Sequence, residues 1–393
     1  MKLGQLLLIT VAGPDTPGIT AALTGLIAKN DVALRDIEQV VVQGQLTLCL
    51  LLEFSEGNRD EAVLKDLLFT AKSMGLDLQF RPLSSSETEF HPGKRVVVTA
   101  IGNLGASGLS CIADALLASG ANIAAIQQLS FENPQSIEIV AVSNAEGQAL
   151  RKALIQATEG RGIDIAVQPE TLLRHTKRLV VMDMDSTLIQ VEVIDELARL
   201  HGVLDRVASI TKRAMEGALD FTESLTERVA LLKGLEFTKA RALAEKLPLS
   251  DGAEALVTAL RSLGFKTGVI SGGFVFGAEA LKARLGLDYA YANQLEVKDG
   301  IITGRVLGAV VDAQRKAELL ETIAQAEGIS LGQTIAIGDG ANDVPMLARA
   351  GLGIAFHGKP TLRDAADTSL SGGLDRLLFL LGLRSRDIKS LVE

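Results

Sequence analysis

"VVMDMDSTLIQ", Val180 to Gln190, runs from an apolar strand-like segment into two aspartates one residue apart, with a serine and a threonine directly behind. In extended backbone, side chains at i and i+2 leave the same face, so Asp183 and Asp185 point together beyond a strand end. Two carboxylates so close repel unless a cation sits beside them. An all-oxygen set of this kind suits Mg²⁺, which works together with phosphate groups. Read alone, the pair is equally a cap for a following helix.

Three further apolar runs downstream also stop at small or polar clusters: "KTGVISGG", "QTIAIGDG" and "GLGIAF". Such runs read as buried parallel strands, and open α/β sheets bind ligands at the carboxyl ends of their strands. Ser271 with Gly272 and Gly273 brings a hydroxyl and open backbone N–H groups to the start of a helix. That arrangement can hold an anion, although in isolation it reads more readily as a turn with a helix cap. Asp339 and Asp343 stand four apart across a Gly-rich turn with Asn342 between them, a second acidic cluster suited to completing a cation site. Lys316, in "AQRKAELL", heads an amphipathic helix and taken singly is a solvated lysine. From about 193 to 249 the pattern is helical throughout, and an insertion there sits over the strand ends as a lid.

The first half has a different organisation. "LLLITVAG", "PDTPG", a helical pattern, two strand-like runs and a second helical pattern occur in order, then recur about 90 residues later, with Gly18 and Gly108 at matching positions. This is a βαββαβ unit repeated. "PLSSSETEFHPGK", from Pro82 to Lys94, reads as the linker between the copies. The expected boundaries are 1–84 and 94–170 for the two small domains and 178–393 for an α/β domain built on a doubly wound parallel sheet.

Composition limits the partners. In 393 residues the net charge is -9, aromatics are 4% and Trp is absent, so neither the basic footprint nor the stacking platform of a nucleic-acid binder is present. No apolar run reaches the roughly 18 residues a membrane span needs, and the N-terminal segment lacks a cleavage signal, so the expectation is a cytoplasmic protein without a membrane partner. Cys49 and Cys111, each within an apolar segment, read as buried core thiols in a reducing compartment.

The ordered set D-M-D-S-T, S-G-G, a lysine and G-D-G-A-N-D resembles the haloacid dehalogenase-like phosphatases over about residues 178–385. That resemblance implies Asp183 as the nucleophile that becomes an aspartyl phosphate, and Asp185 as the acid and then the base. Ser271, the Gly272 N–H and Lys316 are implied to hold the phosphoryl oxygens. Asp183, the Asp185 carbonyl and Asp339 are implied to bind Mg²⁺, with Asp343 as an outer acidic support and Asn342 fixing substrate or metal water. Around the lid, "DMDSTLIQVEVIDELAR" and "MEGALDFTESLTERVALLKGL" look like the phosphoserine phosphatases. Glu192 would then face the substrate ammonium and Arg228 its carboxylate, while Met215 and Phe221 screen the site. Bidentate arginine suits a carboxylate and glutamate an ammonium, although each residue alone reads as an exposed helix position.

The two N-terminal units resemble ACT domains, which bind amino acids. The resemblance implies Asp15 and Gly18 in the first, and Asn103 and Gly108 in the second, as effector contacts, with serine as the expected effector. The second unit lacks the aspartate and proline of the first turn, and each glycine serves a turn as readily as a ligand. Exposed sheet edges in such modules favour a homodimer. The expected activity is Mg²⁺-dependent hydrolysis of O-phospho-L-serine. The alternatives are another small phosphomonoester, or an amino-acid-sensing regulatory protein.

Overall fold

A computed structural model describes residues 5–54, 60–84, 93–145, 147–358 and 360–392 of the chain. Most of the expected linker, residues 85–92, lies outside them. Two compact units emerge, Met1–Pro92 and Gly93–Glu393.

In the first unit, strands β1 (Gln5–Pro14), β2 (Ala33–Val42), β3 (Gln45–Phe54) and β4 (Asp77–Leu83) form an antiparallel sheet in the order β2-β3-β1-β4. The period-2 pattern of β3 drives its placement: Leu46, Leu48, Leu50, Leu52 and Phe54 all face the core. Helices Ile19–Lys29 and Asp60–Ser73 cover that face with Leu23, Ile27, Val63 and Leu67. Each fully buried aliphatic side chain contributes about 1.5–3 kcal/mol. Cys49 falls on the alternate face and is only half-buried, and Cys111 is half-buried as well; both are free thiols, not core residues. Strand β2 lies at the sheet edge, exposed along its whole length.

The second unit opens with the repeat, β5 (Lys94–Gly102), β6 (Asn122–Ser130), β7 (Gln135–Ser143) and β8 (Ile163–Pro169), in the order β8-β5-β7-β6. The α/β core follows with β9 (Leu179–Met182), β10 (Lys266–Phe274), β11 (Tyr289–Lys298), β12 (Ile301–Leu307), β13 (Thr334–Gly338), β14 (Gly353–Phe356) and β15 (Thr368–Leu370). Strands β11-β10-β9-β13-β14-β15 are parallel neighbours, which is the doubly wound order, and the crossover direction reverses between β9 and β13. The four residues of β9 are fully buried because strands flank both edges and helices both faces. Antiparallel β12 forms one end, and β15 pairs with β8 through Thr368 and Ala166, so the module's sheet continues the core sheet to eleven strands.

Three strands escaped the sequence reading. Strand β11 has mixed exposure without a clean alternation, and β15 has only three residues. The expected lid is present as four helices: Val193–His201, Leu204–Met215, Phe221–Ala230 and Phe237–Ala244. Asp220 starts the third with a capping box to Glu223. Among the described residues no helix is long and apolar enough to cross a membrane.

The two matched glycines turn out to do different work. Gly18 caps its helix at φ 98°, a left-handed backbone, and an added Cβ would meet nothing within 4 Å. Gly108 is instead buried as the third residue of helix Ala106–Ala118, where an added Cβ would lie 2.7 Å from the Asn103 carbonyl oxygen. Gly18→Ala should therefore cost about 1 kcal/mol in denaturant unfolding, and Gly18→Asn less, since asparagine tolerates that backbone. Gly108→Ala and Gly108→Asn should be costly alike, because both collide with the carbonyl.

Candidate active site

The polar clusters that end β9, β10 and β13 converge in one crevice. The Asp183 N–H donates to the Ile337 carbonyl at 2.9 Å, so the β9–β13 ladder itself fixes the start of the loop. Asp183 Oδ1 then accepts from the Met184 N–H at 2.7 Å, and Oδ2 lies 2.8 Å from Lys316 Nζ. Within the turn Met184–Leu188, Ser186 adopts φ 57° and donates its hydroxyl to Glu192 at 2.9 Å. That left-handed backbone costs about 1–2 kcal/mol in a residue other than glycine.

Asp185 is held from two sides. Its Oδ1 accepts from the Val193 N–H at 2.7 Å, at the positive end of the first lid helix, and its Oδ2 accepts from the Ser271 hydroxyl at 3.2 Å. Ser271, fully buried, also accepts from the Gly273 N–H at 2.8 Å. Close approach explains the glycines: a Cβ on Gly273 would stand 2.5 Å from Asp185 Oδ2, and one on Gly272 would stand 2.7 Å from the Phe221 ring.

Lys316 is fully buried and lies 2.8 Å from both Asp183 and Asp343. Burial alone would lower its proton affinity, but the charges of Asp183 and Asp343 outweigh it and hold the ammonium above the usual lysine range. One cation does not balance four carboxylates. Burial and the Asp343 charge raise Asp183 well above the ordinary range despite Lys316. Burial, with Glu192 adding to it, pushes Asp185 up to about 7 against the Val193 and Ser271 hydrogen bonds. Asp339 is pushed up to about 6 by burial and by Asp343 and Glu192.

Asp183, Asp339 and Asp343 bring one carboxylate oxygen each within 4.8 Å of one another. A compact all-oxygen set with excess negative charge fits a hard divalent cation. Asp343, expected as an outer acidic support, has its carboxylate within that distance as well. Both of its oxygens are already engaged, by Lys316 at 2.8 Å and by the Gly340 N–H at 3.1 Å. Asn342 lies beside Gly340, where an added Cβ would meet its side-chain oxygen at 2.3 Å.

Above this floor, Phe221 presses its ring on Gly272, whereas Met215 is 70% exposed at the end of its helix. Arg228 is half-buried and hydrogen-bonded to the Ser224 carbonyl at 3.3 Å. Burial pulls Arg228 below the usual arginine range, while Glu192, Asp195 and Asp185 oppose that shift. Asp15 and Gly18 lie in the first unit, and Asn103 and Gly108 in the second βαββαβ module.

Comparison with known proteins accords with this geometry. Residues 177–351 match the haloacid dehalogenase-like hydrolase family, and residues 5–81 and 94–168 each match an ACT domain. A phosphoserine phosphatase of Streptomyces coelicolor is 44% identical over 389 residues, covering 98% of this chain and 94% of that protein. The chain belongs to the phosphoserine phosphatase family. A phosphoserine phosphatase of Mycobacterium tuberculosis is 42% identical over 98% of this chain and 94% of its own length. Among solved structures, a haloacid dehalogenase family hydrolase from Salmonella enterica serovar Typhi aligns at a TM-score of 0.65 and 29% identity, over 73% of this chain and 98% of that one. A probable phosphoserine phosphatase from Vibrio cholerae aligns at 0.57 and 35% identity, over 74% of this chain and 87% of that one. The chain thus carries its hydrolase domain behind two ACT domains.

Sequence reasoning missed several residues of this crevice. Thr187 donates to Asp339 at 3.2 Å and links the first and last clusters. Asp195 stands one helical turn beyond Glu192, and burial raises its proton affinity against the pull of Arg228. Its i+3 spacing from Glu192 was a legible signal. Gly273→Ala should lower kcat/KM at least about 100-fold, because Asp185 and Ser271 must move by roughly an ångström. Circular dichroism should show an intact fold.

Proposed function

We propose that the chain hydrolyses O-phospho-L-serine to L-serine and inorganic phosphate through a phosphorylated Asp183. The observation that carries this reading is the fixed division of labour between two neighbouring carboxylates. Asp183 Oδ2 pairs with Lys316, while both oxygens of Asp185 are held by donors of their own.

An oxygen of the Asp183 carboxylate attacks phosphorus, and the bond to the serine oxygen breaks. Protonated Asp185 gives its proton to that departing oxygen, releasing L-serine. The Asp185 carboxylate then takes a proton from water as the water oxygen attacks the phosphoryl group, freeing phosphate and restoring Asp183. A carboxyl raised to about 7 exchanges its proton readily near neutral pH, which suits both roles. Ser271, the Gly272 N–H and Lys316 bind the phosphoryl oxygens as charge shifts toward them. Asp183, Asp339 and the Asp185 carbonyl would hold Mg²⁺, with Asp343 in support, and the ion when bound neutralises phosphoryl charge. Asn342 fixes the substrate or ordered water beside it.

Selectivity comes from the lid. Arg228 takes the substrate carboxylate, Glu192 takes the ammonium, and Phe221 excludes water over Gly272. The exposed Met215 joins the screen only when the lid closes on substrate.

The ACT domains bind an amino-acid effector, with serine, the product, as the candidate. Of the effector positions, Asp15 and Gly18 are the better site, because both are exposed at an open helix start whereas Gly108 is buried within its helix. The chain pairs as a homodimer through exposed edges such as β2, where Val40 and Val42 are 57% and 62% exposed.

Phosphate release from phosphoserine with Mg²⁺ tests the activity. Asp183→Asn should lower kcat at least about 10⁴-fold without loss of fold, and full activity in that variant overturns the assignment. Arg228→Ala should raise KM for phosphoserine about 10–100-fold while sparing an ester that lacks the carboxylate. An equal loss on both substrates contradicts the role given to Arg228.

A further inference from the structure

Asn293, on β11, is 1% exposed and belongs to none of the four polar clusters. The β10–β11 ladder is regular through Ile270 and resumes only at Phe274 opposite Asn293, so the segment Ser271–Gly272–Gly273 bows out of register. Asn293 bridges that gap. Its Nδ2 donates to the Gly272 carbonyl at 2.8 Å, and its Oδ1 accepts from the Val311 N–H at 2.8 Å. A carbonyl can only accept and a backbone N–H can only donate, so the orientation of the amide is determined.

The Gly272 carbonyl and the Gly273 N–H are the two ends of one peptide plane. The first is held by Asn293 and the second by Ser271 Oγ at 2.8 Å. Having accepted that bond, the Ser271 hydroxyl turns its proton toward Asp185 Oδ2 at 3.2 Å. Four hydrogen bonds thus run in one donor direction from Val311 through Asn293, the Gly272–Gly273 peptide and Ser271 to Asp185. In such a chain each bond polarises the next. Val311 also lies just ahead of helix Ala313–Ala326, which carries Lys316, so one side chain ties the serine loop to the start of the lysine helix.

We infer that Asn293 is a positioning residue of the phosphoryl site, one that fixes the Gly272–Gly273 peptide so that the Gly272 N–H and the Ser271 hydroxyl keep their aim. This rests on the phosphatase reading above. Asn293 acts through the loop and touches no reacting atom.

A double-mutant cycle with Ser271→Ala, read by kcat and KM for phosphoserine, tests it. Asn293→Asp keeps the acceptor for Val311 but sets a carboxylate against the Gly272 carbonyl, and Asn293→Ala removes both bonds. Each should lower kcat about tenfold to a hundredfold with KM within about threefold, because the head group is bound elsewhere. On the Ser271→Ala background the further loss should be under about threefold. Equal losses on both backgrounds, or folded variants with unchanged kcat, overturn the inference. Failure of both Asn293 variants to fold where the wild type folds also counts against it, since the side chain is then purely structural. A wild type that does not turn over phosphoserine overturns the functional reading and this inference together.

Discussion

The ammonium of Lys316, shut from water between Asp183 and Asp343, is the contact around which the rest is arranged. Burying an ion pair costs several kcal/mol per ion in desolvation, and a hydrophobic replacement is often as stable. Such a cluster is therefore not explained by stability. Its effect is geometric and electrostatic: it fixes one oxygen of Asp183 and sets a positive charge beside it. It also leaves the pocket with surplus negative charge, a setting that fits an oxygen-seeking divalent cation.

The sheet supplies the rigidity this requires. Because β9 and β13 are adjacent at the point where the winding reverses, their carboxyl ends open into a shared crevice without an intervening crossover. Asp183 and Asp339 are carried there on fully buried strands, and a loop on the neighbouring β10 brings Ser271. The lid is wired to the same floor, since the first backbone N–H of its opening helix donates to Asp185 and Ser186 donates to Glu192. Lid position and the Asp185 carboxylate are consequently coupled. The continuation of the sheet from β15 into β8 gives the second ACT domain a covalent and hydrogen-bonded route toward that core.

Much of this was legible because buried parallel strands are long apolar runs that stop abruptly at polar residues. Asp183, Ser271 and Asp339 announce themselves in that way, and the lid announces itself by helical period. Lys316 does not, since a lysine at the head of an amphipathic helix looks solvated until the fold closes over it. Asn293 was silent for a related reason: it lies in "YANQLE", a mixed stretch whose meaning depends on the irregular ladder beside it. The repeat was read correctly as a repeat, yet Gly18 and Gly108 diverged because the second module begins its helix earlier relative to the matched glycine. Side-chain burial of Cys49 was misread because period-2 alternation assigns neighbouring residues of one apolar run to opposite faces.

The central claim is that a covalent bond forms between Asp183 and phosphorus during turnover. Acid quenching of the enzyme within one turnover of phosphoserine, followed by borohydride reduction and peptide mass spectrometry, reads that bond directly. Conversion of Asp183 to homoserine, only when substrate is present, is the predicted result. Reduction at another residue, or none at all in enzyme that is turning over, would contradict the account.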